Sequence, residues 1–117
     1  MDEVKKLSII IPTYKKAKTI RSDLHAMQSV FRRLRFDYEM IVVIDGVVDK
    51  SWEQADLFRE ESEQKSKIKI IGYETNQGKG HAVRFGMKKA SGDYVAFMDA
   101  DGDINPNNIS MLLEHLE

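Results

Sequence analysis

The chain has 117 residues, which is enough for one domain with a buried core but leaves little room for a second. Eighteen basic and nineteen acidic residues give a formal net charge of −1, so the broad positive surface of a nucleic-acid binder is missing. The absence of cysteine excludes disulfides and thiolate zinc sites and fits a reducing compartment. The apolar run at residues 7–11 is too short for a signal peptide or a membrane span. We expect one soluble, cytoplasmic domain over residues 1–117.

Four short apolar runs, mostly rich in β-branched residues, predict buried strands. They cover residues 7–11, 40–44, 68–71 and 94–98. The first crossover segment has a clear helical stripe, which comprises Ile20, Leu24, Met27, Phe31 and Leu34. Strands that alternate with helices over short connections favour parallel pairing. We therefore predict an α/β fold with an open, doubly wound, mainly parallel sheet.

Weaker helical patterns occupy the other segments. The second stripe comprises Trp52, Ala55, Leu57 and Phe58, and the third comprises Ala82, Val83, Gly86 and Ala90. The small residues of the third stripe predict a helix that packs closely on the sheet. Near the end of the chain, Asn105 and Pro106 suit the start of a helix. The apolar face of this predicted final helix consists of Ile109, Leu112, Leu113 and Leu116.

The candidate functional residues follow the predicted strands, because ligands of open parallel sheets bind outside the carboxyl ends of the strands. The sharpest signal is Asp99, Asp101 and Asp103, three carboxylates at alternate positions after the fourth apolar run. Magnesium and manganese take oxygen ligands, and a pyrophosphate can complete their coordination, so the cluster predicts a divalent-metal site. A solvated turn is the alternative, since Asp and Gly are common turn formers. An EF-hand calcium loop is excluded, because Ile104 and Ser110 stand where it needs Gly and Glu.

Asp45 ends the second apolar run and precedes Gly46. Its carboxylate is suited to accept hydrogen bonds from a base or ribose, and simple turn chemistry explains it equally well. Asp49 is better explained as a cap for the helix that starts near Ser51. Tyr14, after the first run, is able either to stack on a base or to cover the sheet edge.

Residues 76–81, Asn-Gln-Gly-Lys-Gly-His, follow the third run. Two glycines allow close backbone approach, Lys79 offers a cation for phosphate, and the amino end of the next helix favours anions. The segment lacks the phosphate loop of P-loop NTPases and the dinucleotide fingerprint of Rossmann dehydrogenases, so neither class is supported. A turn built on glycines is the default explanation.

Taken in order, four segments resemble the inverting family 2 glycosyltransferases of the GT-A fold, in particular the subgroup that transfers sugars to dolichyl or polyprenyl phosphate. The segments are LSIIIPTY (7–14), IVVIDGVVD (41–49), NQGKGHA (76–82) and ASGDYVAFMDAD (90–101). They span most of the chain. The resemblance implies the nucleotide-binding half of such an enzyme.

The resemblance also implies a site for a UDP- or GDP-linked sugar. The residues that would line the nucleoside pocket are Pro12, Thr13, Tyr14 and Asp45. Lys79 would lie on the phosphate side. The D-x-D element that binds magnesium or manganese against the diphosphate would be Asp99 and Asp101, with Asp103 as a third ligand where similar enzymes often have glutamine. The metal then stabilises charge on the departing diphosphate while an acceptor attacks the anomeric carbon from the opposite face.

The chain departs from the family pattern in two respects. Residues 44–49 read I-D-G-V-V-D where the family often reads D-D-G-S-x-D, so one acidic residue and one hydroxyl are missing beside Asp45. Family members continue into an acceptor-binding half, which contains the base where the acceptor is a hydroxyl. We therefore expect that the acceptor half and any catalytic base lie beyond Glu117. A lipid-phosphate acceptor would need no strong base and would place the full-length protein at the cytoplasmic face of a membrane.

Other functions fit parts of the same pattern. A noncatalytic module would use the crevice as a nucleotide sensor. A nucleotidyltransferase shares the sheet and the metal logic, but the usual glycine-rich, arginine-containing opening loop is missing. A purely structural α/β domain would bind neither nucleotide nor metal. The sequence does not identify the nucleoside, the sugar, the acceptor or the oligomeric state.

Overall fold

The computed structural model describes residues 5–34, 36–99 and 114–115. Over these ranges the strands are β1 (Lys6–Thr13), β2 (Asp37–Asp45), β3 (Ile68–Tyr73), β4 (Tyr94–Phe97) and β5 (Glu114–His115). The helices are α1 (Ile20–Phe31), α2 (Ser51–Glu61) and α3 (Lys79–Met87), and a 3-10 turn at Lys65–Lys67 precedes β3. All four strands predicted from the apolar runs are confirmed.

The strands form one sheet in the order β3-β2-β1-β4-β5. β1 pairs in parallel with β2 on one side and with β4 on the other, so that Ile10 lies opposite both Ile41 and Phe97. β3 pairs in parallel with β2. β1 thus lies in the middle of the sheet, β2 and β3 follow on one side of it, and β4 lies on the other side. This order confirms the predicted open, doubly wound, mainly parallel sheet. The point where the strand order reverses lies between β1 and β4, where ligands of such folds bind.

The sheet is covered on both faces, because successive strand side chains point to opposite sides. Ile9, Met40 and Val42 pack in one cluster with the apolar stripe of α1 and with Ala55 and Phe58 of α2. Ile10, Ile41, Val43 and Val95 pack on the opposite face with Ala82 of α3. Burial on both faces explains why the strands are continuous apolar runs rather than alternating ones.

The helices follow the predicted stripes with three differences. Leu34 and Ala90 lie beyond the ends of α1 and α3, although both still pack against the core. Leu57 is wrong as a core position, since its side chain is 42% exposed, whereas Phe58 is fully buried. The close packing predicted for α3 is confirmed at Gly86, where an added Cβ would lie 2.7 Å from Ile10 Cγ2.

The predicted final helix is wrong at residues 114–115. Glu114–His115 form β5, which pairs antiparallel with β4 so that His115 lies opposite Tyr94. The outer edge of β4 explains this, because an edge strand offers backbone groups for pairing. The remaining residues of the predicted helix lie outside the described residues. In the described part of the chain, no helix has the length and apolarity needed to cross a membrane.

Candidate functional site

A cavity of about 400 Å³ lies at the carboxyl ends of β1, β2 and β4. Its lining residues are Pro12, Thr13, Tyr14, Lys16, Asp45, Asn76, Gly78, Lys79 and Asp99. The structure thus brings together every described residue that the sequence placed in the site. Asp101 and Asp103, the other two residues of the predicted metal cluster, lie outside the described residues.

Asp45 is buried at the end of β2, with 3% of its surface exposed. Its Oδ1 accepts hydrogen bonds from the Tyr73 hydroxyl at 2.7 Å and the Gln77 amide at 2.8 Å. Its Oδ2 accepts hydrogen bonds from the Asn76 side-chain amide at 2.9 Å and the Gly78 amide at 3.0 Å. A single carboxylate therefore joins the end of β2 to the end of β3 and to the loop before α3.

The loops after β2 and β3 also pack directly on each other. Gly46 has a φ of +97°, and a Cβ on it would lie 2.9 Å from the Asn76 amide nitrogen, so this position requires glycine. The Val47 amide donates a hydrogen bond to the Glu74 carbonyl at 3.0 Å. The two loops form one rigid wall of the cavity.

The amino end of α3 reaches the cavity at Gly78 and Lys79. Gly78 has a φ of +95°, and among the described residues other than its chain neighbours no atom lies within 4 Å of the position that its Cβ would occupy. The Lys79 ammonium donates a hydrogen bond to Asp99 Oδ2 at 2.7 Å, with both side chains partly exposed. The cavity therefore contains a cation and a carboxylate that solvent or a ligand can reach.

The loop after β1 forms the opposite wall. Thr13 is buried and its hydroxyl donates to the Ile11 carbonyl at 3.2 Å, whereas Tyr14 is 39% exposed. The Lys16 amide donates to the Ser51 hydroxyl at 2.9 Å, which ties this loop to the start of α2. Tyr14 is thus the aromatic side chain of the cavity that a ligand can contact.

Asp49 binds the start of α2, as the sequence predicted, although the N-cap position itself is Lys50. Its Oδ1 accepts a hydrogen bond from the amide of Ser51, the first residue of α2, at 2.9 Å. Burial acts to raise the pKa of Asp49, but hydrogen bonds from Ser51 and from the Ala17 amide outweigh it and lower the pKa. Asp49 therefore supports the scaffold beside the cavity.

Sequence reasoning assigned no individual site role to three lining residues. Asn76 and Gly78 belong to the glycine-containing segment after the third apolar run, which the strand-end rule placed at the crevice without a role for either residue. Lys16 had only its place after the first strand as a signal. Tyr73, which contacts Asp45, was also missed, because a tyrosine at a strand end is an ordinary strand residue.

The described part of the cavity fits a divalent cation in its donor chemistry. Asp99 supplies carboxylate oxygens, the ligands that magnesium and manganese prefer, and its present partner is the partly exposed ammonium of Lys79. Among residues 5–34 and 36–99, no group of three or more His, Cys, Asp or Glu side chains is close enough to hold a metal. A complete ligand set would need Asp101 and Asp103.

Comparison with known proteins gives a consistent result. Residues 8–117 match the family described as Glycosyl transferase family 2. A dolichol-phosphate mannosyltransferase of Pyrococcus furiosus is 34% identical over 112 residues, which cover 96% of this chain and 30% of that protein. An undecaprenyl-phosphate 4-deoxy-4-formamido-L-arabinose transferase of Photorhabdus laumondii is 30% identical over 117 residues, covering 99% of this chain and 35% of the relative.

Solved structures show the same fold. The mannosyltransferase PcManGT of Pyrobaculum calidifontis, solved with GDP-Man and Mn²⁺, superposes with a TM-score of 0.71 at 22% identity, over 85% of this chain and 28% of that one. TarS of S. aureus, solved as residues 1–349 with UDP-GlcNAc, gives a TM-score of 0.66 at 30% identity, over 82% and 26%.

The chain spans about a third of the length of the two curated relatives, 30% and 35%. The sheet, the switch point and the cavity described above all lie within this chain. The match over residues 8–117, together with the fold of the solved structures, shows that the chain belongs to glycosyl transferase family 2.

Proposed function

We propose that the cavity at the carboxyl ends of β1, β2 and β4 binds a nucleoside-diphosphate sugar for transfer by the whole protein. One observation carries the proposal: the fold gathers an exposed aromatic ring, a lysine and a carboxylate at the switch point of the sheet. The volume of about 400 Å³ lies within the range of roughly 300–1,000 Å³ that small-molecule sites occupy.

The nucleoside end of the site is assigned to the walls formed by the loops after β1 and β2. Thr13 and Asp45 form the buried part, Pro12 is half-buried, and Tyr14 offers a ring for stacking on a base. TarS, the relative solved with UDP-GlcNAc, supports a nucleotide sugar as the ligand class.

The diphosphate end is assigned to Lys79, Asp99 and the two carboxylates that follow. Lys79 lies at the amino end of α3, where backbone amides and the helix dipole favour an anion. Asp99, with Asp101 and Asp103, would hold magnesium or manganese. When bound, the metal neutralises charge on the departing diphosphate.

The acceptor is proposed to be a polyprenyl phosphate, because two relatives carry dolichol phosphate and undecaprenyl phosphate in their names. A phosphate oxygen is already a nucleophile, so it needs no general base from the described residues. We place the whole protein at the cytoplasmic face of a membrane, where such an acceptor is reached. The domain assignment over residues 1–117, with the acceptor half outside it, is part of this proposal.

Thermal melting of the chain with UDP, GDP and their sugar conjugates, each with and without Mn²⁺, tests the proposal. A ligand that binds only the native state stabilises it by mass action and thereby raises the melting midpoint. At a ligand concentration of one hundred times the Kd, the free energy of unfolding rises by about 2.7 kcal/mol. We expect a manganese-dependent increase for one nucleotide class.

The test variant is Asp101→Ala, and its matched control is Asp93→Ala. Asp101 is a proposed metal ligand, whereas Asp93 accepts a hydrogen bond from the Lys6 amide at the opposite end of the sheet. The increase should disappear in the first variant and persist in the second. A midpoint that no nucleotide moves, or an increase that Asp101→Ala retains, would contradict the site assignment.

A further inference from the structure

Tyr73 connects three elements around the cavity without lining it. It ends β3 and lies opposite Asp45 in the register of β2 and β3. Its hydroxyl donates to Asp45 Oδ1 at 2.7 Å. Its ring packs edge-on against His81 and Phe85 of α3, with 5.1 Å between the centroids in each pair. The ring is thus fixed by packing, and the hydroxyl is fixed with it.

The acceptor sites of Asp45 are filled from within the protein. A carboxylate has about four lone-pair sites. Tyr73, Asn76, Gln77 and Gly78 each donate to one of the two oxygens, at 2.7–3.0 Å. The carboxylate therefore holds the loop before α3, and a base or ribose would have to displace one of these donors.

The same bonds set the geometry of the phosphate side. The bond from the Gly78 amide fixes the N-cap residue of α3, which has a φ of +95°. Lys79 follows it and reaches Asp99 at 2.7 Å. Without the Tyr73 hydroxyl, Asp45 Oδ1 keeps one donor, the Gln77 amide, so that three hydrogen bonds instead of four hold the carboxylate in its orientation. A change at Tyr73 would thus reach the amino end of α3.

We propose that Tyr73 is a positioning residue, which acts through Asp45 to hold residues 76–79 in the arrangement that binds the nucleotide. The inference rests on the proposed function of the cavity. Burial, and after it the hydrogen bond to Asp45, raises the pKa of Tyr73, which keeps the hydroxyl protonated as a donor. The role differs from that of a ligand contact, because Tyr73 is not among the residues that line the cavity.

The test compares Tyr73→Phe with Tyr38→Phe. Both substitutions remove one hydroxyl and keep the ring. Tyr38 is a matched control because its hydroxyl bonds to Gln28 and Gln64 near the start of β2, far from the cavity. The Kd values for UDP and GDP with Mn²⁺ are measured by titration calorimetry, and the melting midpoint is measured for each variant.

We expect Tyr73→Phe to weaken binding by about three- to tenfold, the effect of one hydrogen bond, and Tyr38→Phe to leave the Kd unchanged. The two variants should have comparable melting midpoints. Amide hydrogen exchange at Gln77 and Gly78 should become faster in Tyr73→Phe alone, a readout that needs no ligand. In a double-mutant cycle, adding Tyr73→Phe to Asp45→Asn should cause little further loss of nucleotide affinity, because both residues act through the same hydrogen bond.

The possible results separate the two proposals. If the unaltered chain binds neither nucleotide, the proposed function fails and this inference fails with it. If the unaltered chain binds and Tyr73→Phe binds equally well, only the inference fails. Additive effects of Tyr73→Phe and Asp45→Asn, or slow exchange at Gln77 and Gly78 in Tyr73→Phe, would also overturn it.

Discussion

The two ends of β2 each carry a buried carboxylate, and the two carboxylates have different surroundings. Glu39, near the start, accepts hydrogen bonds from the Ser8 hydroxyl at 2.6 Å and the Ser91 amide at 2.7 Å, and it forms an ion pair with Lys69 at 2.8 Å. Asp45, at the end, accepts hydrogen bonds from neutral donors. Each side chain is 3% exposed.

The difference lies in where the lysines are. At the amino end of the sheet, the partly exposed Lys69 pairs with the buried carboxylate itself. At the carboxyl end, Asp45 is satisfied by loop residues, and Lys79 pairs instead with Asp99 at the cavity. The amino end thus pairs its lysine with a buried carboxylate, whereas the carboxyl end presents a lysine and a carboxylate that are both partly exposed at a cavity.

The largest expected effect comes from Glu39→Gln. The neutral amide removes the ion pair with Lys69 and places an NH₂ group against hydrogen-bond donors of Ser8 or Ser91. We expect the free energy of unfolding to fall by about 2–4 kcal/mol. Urea unfolding measures the loss. Nucleotide affinity should stay within twofold of the original, and a large change in affinity would mean that the two ends are coupled.

The pH dependence of stability follows from the same carboxylate. Burial acts to raise the pKa of Glu39, but hydrogen bonds from Lys69, Ser8 and Ser91 lower it from 4.5 to about 2. Because the unfolded chain takes up the proton first, this stabilisation is complete above about pH 4.5 and is lost as the pH falls toward 2. The contribution is on the order of 3 kcal/mol. Urea unfolding at several pH values measures it, and Glu39→Gln should flatten this part of the profile.

Glycines at the two ends offer a sharper comparison. A Cβ at Gly92 would lie 2.6 Å from Ser8 Oγ, and a Cβ at Gly46 would lie 2.9 Å from the Asn76 amide nitrogen. Each Gly→Ala substitution should cost about 1–3 kcal/mol of unfolding free energy. Only Gly46→Ala should also weaken nucleotide binding, because it displaces the wall of the cavity. Equal losses of affinity in both variants would remove the distinction between the ends.

The smallest effect is expected at the α1–α2 surface. Arg21 forms a bidentate pair with Glu61, and both side chains are at least 36% exposed. Exposed ion pairs contribute little because water and salt screen them. Arg21→Gln should leave both the melting midpoint and the nucleotide affinity at their original values. A clear loss in either measurement would show that this surface supports the site.

Much of the fold was predictable, because the four apolar runs determine the strands, and the strand-end rule identified candidate residues that share one cavity. Asp45, Lys79 and Asp99 converge on one cavity as the sequence predicted. What the sequence did not reveal depends on contacts between distant segments. Tyr73 acquires its partner through the register of β2 and β3, and Glu39 acquires Ser91 from a loop 52 positions away. The strand at 114–115 depends on the open edge of β4 rather than on local propensity.

The central claim is that ligand and metal bind at the carboxyl end of the sheet. Paramagnetic Mn²⁺ broadens the amide resonances of nearby residues, so NMR spectra of the chain with Mn²⁺ and the bound nucleotide locate the metal directly. We expect broadening at Thr13, Gly78 and Asp99, while Ser8, Glu39 and Ser91 keep sharp signals. Broadening at the amino end, or none that depends on nucleotide, would contradict it.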